Sequence, residues 1–280
     1  MVTKQQHYYP RSLMKYFADE DGKVNTYIRK ANRVRKMSYE KICSANYTYE
    51  SNGIADNILE NKLASYETKM GRIIDYIHNN ITSDNFIVTK EQQKFLYLYM
   101  YLQYLRTDAG RINYISLIEN IKSYIPRKGP IELDEIKENE EKIKKFNWLF
   151  KQEGVLEEHL KQYSKPDSMN FHIAISRNNI LTSDNPVIGT DEWKQIIMSI
   201  SPFLCIEFQD DSINVSKNVM VELSPEKIIY LNEATINTAN YYIISHEPFT
   251  FSQNVYIYNR FMNKNWNFGK PHFKNYDLEE

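Results

Sequence analysis

The chain has 280 residues, a net charge of −1 and a pI near 6.6, with 42% hydrophobic and 25% charged residues. That composition describes a folded protein able to bury a large core, and it argues against a surface that is basic throughout and binds nucleic acid everywhere. No apolar run approaches the ~20 residues that span a bilayer, the first residues lack the apolar segment of a signal peptide, and two cysteines, Cys43 and Cys205, make neither a disulfide framework nor a zinc site. The expected location is the cytosol, with no membrane partner.

In chain order, Asp19-Glu20-Asp21-Gly22-Lys23 reads as a turn and Val24–Ile28 as a short strand. Residues 29–36 carry five basic residues, Arg29, Lys30, Arg33, Arg35 and Lys36, and no acid. They read as a solvated loop or edge strand, with a phosphate-facing patch as the alternative. Leu59, Leu63, Tyr66, Met70, Ile73 and Ile77 repeat at helical spacing and predict a helix over 56–78, capped by Asp56. Glu60 and Glu67, seven residues apart, share one flank of that apolar stripe. They are read either as solvated glutamates or as acids at the edge of a site.

Thr89 is expected to cap a second helix, from Lys90 to about Asp108, whose run Phe95–Leu102 is apolar all round and therefore central. The polar groups at its end, Gln103 and Arg106, followed by Arg111, must bond one another and the backbone or line a cavity. Ile125–Pro130 is a break, and the mixed charges of Glu132–Lys145 predict an exposed helix. Beyond Pro166, strands are expected at 169–176, 180–182, 203–208, 219–223 and 228–231, with a hairpin turn at Asn178-Asn179 and a helix over 237–245. The fold class is α+β: a helical N-terminal half packed against a C-terminal, mainly antiparallel sheet. It is expected to form a single domain over 1–280, with a helix-rich lobe at about 50–165 and a strand-rich part at about 166–280 together with 1–50.

The densest motif is His7-Tyr8-Tyr9-Pro10-Arg11-Ser12-Leu13-Met14-Lys15-Tyr16-Phe17-Ala18. With Leu102-Gln103-Tyr104-Leu105-Arg106-Thr107 ahead of Arg111, with Leu181-Thr182-Ser183-Asp184-Asn185-Pro186-Val187, and with the weaker Leu223-Ser224-Pro225, it resembles the bacterial family known as domain of unknown function 4238. The likeness covers nearly the whole chain. It implies no activity. Members resemble bacterial and phage-associated proteins, which implies a place in phage–host conflict.

The residues themselves offer candidate chemistry. His7 can shuttle protons near neutral pH, and Arg11 presents a fork suited to phosphate or carboxylate. Asp184 and Asn185 stand where a strand ends before a proline, so Asp184 reads as a base and Asn185 as an orienting amide. Each has a structural alternative: a hydrogen-bonded His, a salt-bridged Arg, a turn capping its own backbone. Candidate catalytic residues are thus His7, Asp184 and Asn185, with Arg11, Gln103, Arg106, Arg111 and Ser183 holding substrate. No Walker loop, dinucleotide-binding glycine pattern, Gly-x-Ser-x-Gly elbow or His-Glu-x-x-His pair occurs, so no cofactor is expected. A metal would need His7, Asp184 and a Glu to converge, and nothing in their spacing demands it. Arg72 and His78 match the Arg-x(4–6)-His spacing of HEPN ribonucleases only, with Ile73 where those enzymes carry a polar residue. The leading reading is a hydrolase acting on nucleic acid or a nucleotide. The alternatives are a non-catalytic sensor or binding module for a small anionic ligand, or an interaction protein whose polar cluster fixes the fold.

Overall fold

The computed structural model describes residues 5–51, 53, 55–124, 130–190, 194–212 and 219–263. The elements in chain order are β1 (Gln5–His7), α1 (Arg11–Met14), β2 (Lys23–Ile28), β3 (Arg33–Ser38), β4 (Ser44–Asn46), α2 (Ile58–Asn80), α3 (Lys90–Leu105) and α4 (Asp108–Glu119). Then come α5 (Leu133–Glu138), α6 (Glu140–Lys151), α7 (Val155–Gln162), β5 (Met169–Ile175), β6 (Thr182–Ser183), β7 (Val187–Thr190) and β8 (Gln195–Ser201). The last are β9 (Leu204–Asp210), β10 (Met220–Glu222), α8 (Pro225–Thr238), β11 (Tyr242–Ser245) and α9 (Phe251–Met262). Helices and strands are thus mixed, and the strand pairing is antiparallel except between β10 and β5. Backbone contacts divide the chain into two compact units, Met1–Leu13 with Cys43–Lys165 and Met14–Ile42 with Pro166–Glu280.

The first unit is a set of helices with one two-stranded ribbon. On α2 the expected stripe is buried at Leu59, Leu63, Met70, Ile73 and Ile77, but the N-cap is Asn57, left-handed and without a side-chain cap bond, rather than Asp56, which lies one residue earlier and accepts the Ile58 N–H at 2.9 Å. Thr89 and Gln92 form a capping box at the start of α3. Helix α3 buries residues on every side, with Phe95, Tyr99 and Leu102 at most 9% exposed. It ends earlier than expected, at Leu105. Thr107 accepts the Gly110 N–H at 3.0 Å and caps a new helix, α4. Gly110 makes the corner: a Cβ there would lie 2.0 Å from the Tyr104 carbonyl oxygen, so only glycine permits the approach. Strand β1 pairs antiparallel with β4, His7 opposite Ser44.

The second unit holds two sheets with α8 serving both. The five-stranded sheet runs β10-β5-β9-β8-β7 and the four-stranded one β3-β2-β11-β6. Ile228, Leu231 and Ala234 of α8 pack on Ala174, Ile188, Ile197 and Cys205 of the first sheet. Ile236 joins Tyr27, Ile243 and Ile257, the cluster of the second sheet and α9.

Several expectations change here. Asn178-Asn179 closes no hairpin, because β5 and β6 lie in different sheets. The side chains there are bound outward, Asn179 Nδ2 to Ser245 Oγ at 2.9 Å and Asn232 Oδ1 from the Leu181 N–H at 2.8 Å. Residues 228–231 are helical, not a strand, because Ser224 caps α8 through the Lys227 N–H and Pro225 opens it. Residues 237–245 are the end of α8 followed by β11, not one helix. Strands β7 and β8 were not foreseen. The Ile125–Pro130 break falls, but for Pro130, outside the described residues.

Leu102 is 2% exposed in the all-round apolar helix, so Leu102→Ala should cost about 2–5 kcal/mol in urea unfolding. An unchanged midpoint would mean that the site collapses without a cavity.

Candidate functional site

In the first unit the candidate residues gather around the N-terminal strand. The turn that stops α3 leaves Arg106 2% exposed. Its Nη2 donates to the His7 carbonyl at 2.6 Å and pairs with Glu67 Oε1 at 2.5 Å, and its Nε donates to the Tyr49 hydroxyl at 2.9 Å. That hydroxyl in turn donates to the His7 carbonyl at 3.1 Å. Three residues before Arg106, Gln103 Nε2 donates to the Tyr8 carbonyl at 2.8 Å. Arg111, 1% exposed, donates to the Thr48 carbonyl, Asp108 Oδ1 and Asn147 Oδ1 at 2.8, 2.8 and 3.2 Å. Both guanidiniums lie 5.5 Å from the centroid of the Tyr49 ring, a cation–π arrangement inside the protein. Burial pushes the Tyr49 hydroxyl up to about 12, so it remains a neutral donor.

Not every group in this cluster is matched. Among the described residues no hydrogen-bond partner reaches Glu60 Oε2, Arg106 Nη1 or Arg111 Nε, all buried atoms. Burial pushes the Glu60 carboxyl up to about 7; the Arg106 charge opposes this, and Glu67 and Glu50 reinforce it. Glu50 is different. Burial works against its charge, but Lys151 at 2.6 Å, Gln6 at 2.9 Å and the Asp56 and Asn57 N–H groups outweigh that and hold its carboxyl below the ordinary range. One carboxylate is therefore locked in its charged form while a neighbour changes protonation near neutrality.

His7 is half-buried at the end of β1, and its main-chain carbonyl is the acceptor that Arg106 and Tyr49 share. Arg11 is exposed at the start of α1 and has no hydrogen bond or ion pair among the described residues; it stands outside the network. Arg72 is exposed and Ile73 buried, as a helix core requires. Tyr49, Thr48, Asn147 and Lys151 were not anticipated. The nearest signal for the cluster was the shared flank of Glu60 and Glu67.

Ser183, Asp184 and Asn185 belong to the second unit and act on the stretch between α8 and β11. The buried Asp184 carboxylate accepts the consecutive N–H groups of Asn240, Tyr241 and Tyr242 at 3.2, 3.0 and 2.9 Å. Asn185 Nδ2 donates to the Thr238 carbonyl at 2.6 Å and to Asn240 Oδ1. The Ser183 hydroxyl accepts the Asn185 N–H at 3.1 Å and donates to the Asn185 carbonyl at 3.0 Å. All three side chains are occupied with main chain that no helix or sheet ladder satisfies. Among the described residues no group of three His, Cys, Asp or Glu is placed to hold a metal, and no helix is long and apolar enough to cross a membrane.

Replacing Asp184 by Asn puts an NH2 group or a single acceptor where three N–H groups converge. Asp184→Asn should cost about 1–3 kcal/mol in chemical denaturation, the penalty for leaving buried donors unmatched. A variant as stable as the parent would show that the loop holds itself.

No curated protein and no solved structure matches the chain. One family model does: that of a protein of unknown function, DUF4238, which covers residues 5–248. Its span takes in the His7–Ala18 motif, the end of α3 with Gln103 and Arg106, and the Thr182–Val187 turn. The chain belongs to the DUF4238 family.

Proposed function

We propose that this protein is a hydrolase acting on a nucleotide or nucleic acid, with Glu60 as its acid–base group. The observation that supports this reading is the half-buried Glu60 carboxyl near the Arg106 charge, whose Oε2 is buried and has no hydrogen-bond partner among the described residues and whose protonation changes near pH 7. A general base works best when it titrates near the working pH, and a carboxyl reaches that range only by burial or like-charge crowding. In the proposed reaction Glu60 takes a proton from the attacking water, the water oxygen bonds to phosphorus, and the leaving oxygen departs with a proton from His7. The unused Nη1 donor of Arg106 and the exposed Arg11 answer the phosphoryl charge. Asp184 and Asn185, first considered for chemistry, are assigned to the main chain they bind, and Ser183 with them. A place in phage–host conflict is proposed on the same footing, because destroying nucleotides or nucleic acid halts replication. We also take the two units to work as one domain, since the chain crosses between them three times, at 13/14, 42/43 and 165/166.

A second reading has an observation of its own. Arg106 and Arg111 each hold a main-chain carbonyl of their own chain, His7 and Thr48, and direct their other matched donors at side chains of the same unit, which suits a non-catalytic module that only fixes a binding surface. Incubation with a panel of RNA, DNA and nucleotides separates the two. The hydrolase reading expects turnover that rises through about pH 7 and falls roughly 100-fold or more in Glu60→Gln with its melting temperature kept. No turnover on any panel member, or full activity in Glu60→Gln, would set this mechanism aside.

A further inference from the structure

The basic run at 29–36 has no part in the chemistry proposed for the first unit. Between Gly22 and Ser38 the chain carries Lys23, Arg29, Lys30, Arg33, Arg35 and Lys36 and no acid. These residues form the β2–β3 hairpin, in antiparallel register from Lys23 opposite Ser38 to Ile28 opposite Arg33. A short 3-10 turn at Arg29–Ala31 and a left-handed Asn32, φ 45°, close it. Strand β3 ends the four-stranded sheet. Its first four residues are all exposed, so Arg33 and Arg35 leave the strand on one side, roughly 7 Å apart. Lys36 is neutralised by Asp19 at 2.6 Å. Lys30, Arg33 and Arg35 have no hydrogen bond or ion pair among the described residues.

An aromatic surface adjoins these charges. Phe261 of α9 stacks on Tyr27 of β2 with centroids 5.7 Å apart, and the Arg29 guanidinium lies 4.6 Å from the same Phe261 ring. One helical turn back, Tyr258 is 62% exposed, and residues three apart on a helix are neighbours. The hairpin end therefore presents cations, an unpaired strand edge and a solvent-facing ring together.

We infer that the β2–β3 hairpin and the adjoining face of α9 dock single-stranded nucleic acid, with Lys30, Arg33 and Arg35 on its phosphates and Tyr258 under a base. Cations on an edge strand also prevent sheets from pairing edge to edge, but that role requires neither Arg29 over a ring nor an exposed Tyr beside it. A duplex offers no free base face to stack, whereas single strands combine backbone charge with bases open to aromatic side chains. With a net charge of −1 the attraction is local, and salt screens it.

The inference shares a substrate class with the proposed hydrolase but not its site. The test is fluorescence anisotropy of labelled oligo-dT and oligo-U of about 15 nucleotides, from about 50 to 200 mM salt. Binding should weaken with salt at a log–log slope of about −2 to −3, since each single-strand phosphate contact contributes about −0.7. Lys30→Gln/Arg33→Gln/Arg35→Gln, all at exposed positions, should keep the melting temperature, lose about tenfold or more in affinity at low salt, and flatten the slope by about 2. Tyr258→Ala should lose roughly tenfold and Tyr258→Phe should not, because stacking uses the ring and not the hydroxyl. No oligonucleotide binding by the wild type, or equal binding by the triple variant, overturns the inference. So does equal capture of heparin or anionic vesicles with Tyr258→Ala unaffected, which would make the patch a general polyanion surface. Oligonucleotide binding with no turnover of any RNA, DNA or nucleotide would sink the hydrolase and leave this site standing; turnover of mononucleotides without oligonucleotide binding would do the reverse.

Discussion

Arg106 carries a full positive charge at a place 2% exposed to water, and a buried cation of that kind holds only if acceptors surround it. The Glu67 carboxylate, the His7 carbonyl and the Tyr49 hydroxyl do so. These acceptors come from three separate stretches of chain: the first strand, the segment after β4, and the middle of α2. The guanidinium thus draws the N-terminal strand onto the ends of the helices, and Gln103 and Arg111 repeat the device on Tyr8 and Thr48. Removing the Glu67 carboxylate would leave the buried charge with only neutral acceptors, the His7 carbonyl and the Tyr49 hydroxyl. The second unit uses the same logic with the sign reversed, as Asp184 draws three consecutive N–H groups to one carboxylate.

Such a network limits which groups remain for chemistry. Glu67 is paired with Arg106, Glu50 is held by Lys151 and backbone donors, and Arg111 is shared among Thr48, Asp108 and Asn147. Glu60 lies in the same neighbourhood with one oxygen unmatched and with burial opposing its charge. A carboxyl that was merely structural would be expected to gain a partner and ionise at low pH. Its position near the Arg106–Glu67 ion pair, with Oε2 unmatched among the described residues, separates a candidate acid–base group from the residues that only hold the fold.

Where local chemistry decides, the sequence was readable. The Leu59–Ile77 stripe, the Thr89 cap and the all-apolar Phe95–Leu102 run each describe a helix from its own residues, and the family motifs carried the kinship. The misreadings occur where distant contacts decide. Asn178-Asn179 has the composition of a hairpin turn, but Asn232 and Ser245 take hold of it and send the two strands to different sheets. Ile228–Leu231 alone looks like a strand, although Ser224-Pro225 marks a helix start just before it. The candidate site was half legible. The polar groups at the end of α3 and in α4 had to be satisfied by something, but that the acceptors would be the carbonyls of His7, Tyr8 and Thr48 depends on pairing across 99, 95 and 63 residues, which no local pattern carries. Tyr49 and Lys151 gave no signal, because an aromatic or a lysine in isolation is as readily surface as core.

The central claim is that Glu60 stays protonated in the fold well above the range of an ordinary carboxyl. Its folded value of about 7 exceeds the ordinary 4.5, so between those values the folded state binds more protons than the unfolded state, and stability falls as pH rises. The stabilisation is complete below about pH 4.5 and lost by about pH 7. The decisive measurement is the unfolding free energy of the wild type and Glu60→Gln across that window. The account predicts that the wild type loses on the order of 2 kcal/mol relative to the variant as pH rises, a figure reduced for solvent screening of a partly exposed group. Parallel curves for the two proteins would show that Glu60 ionises like a surface glutamate, and would contradict it.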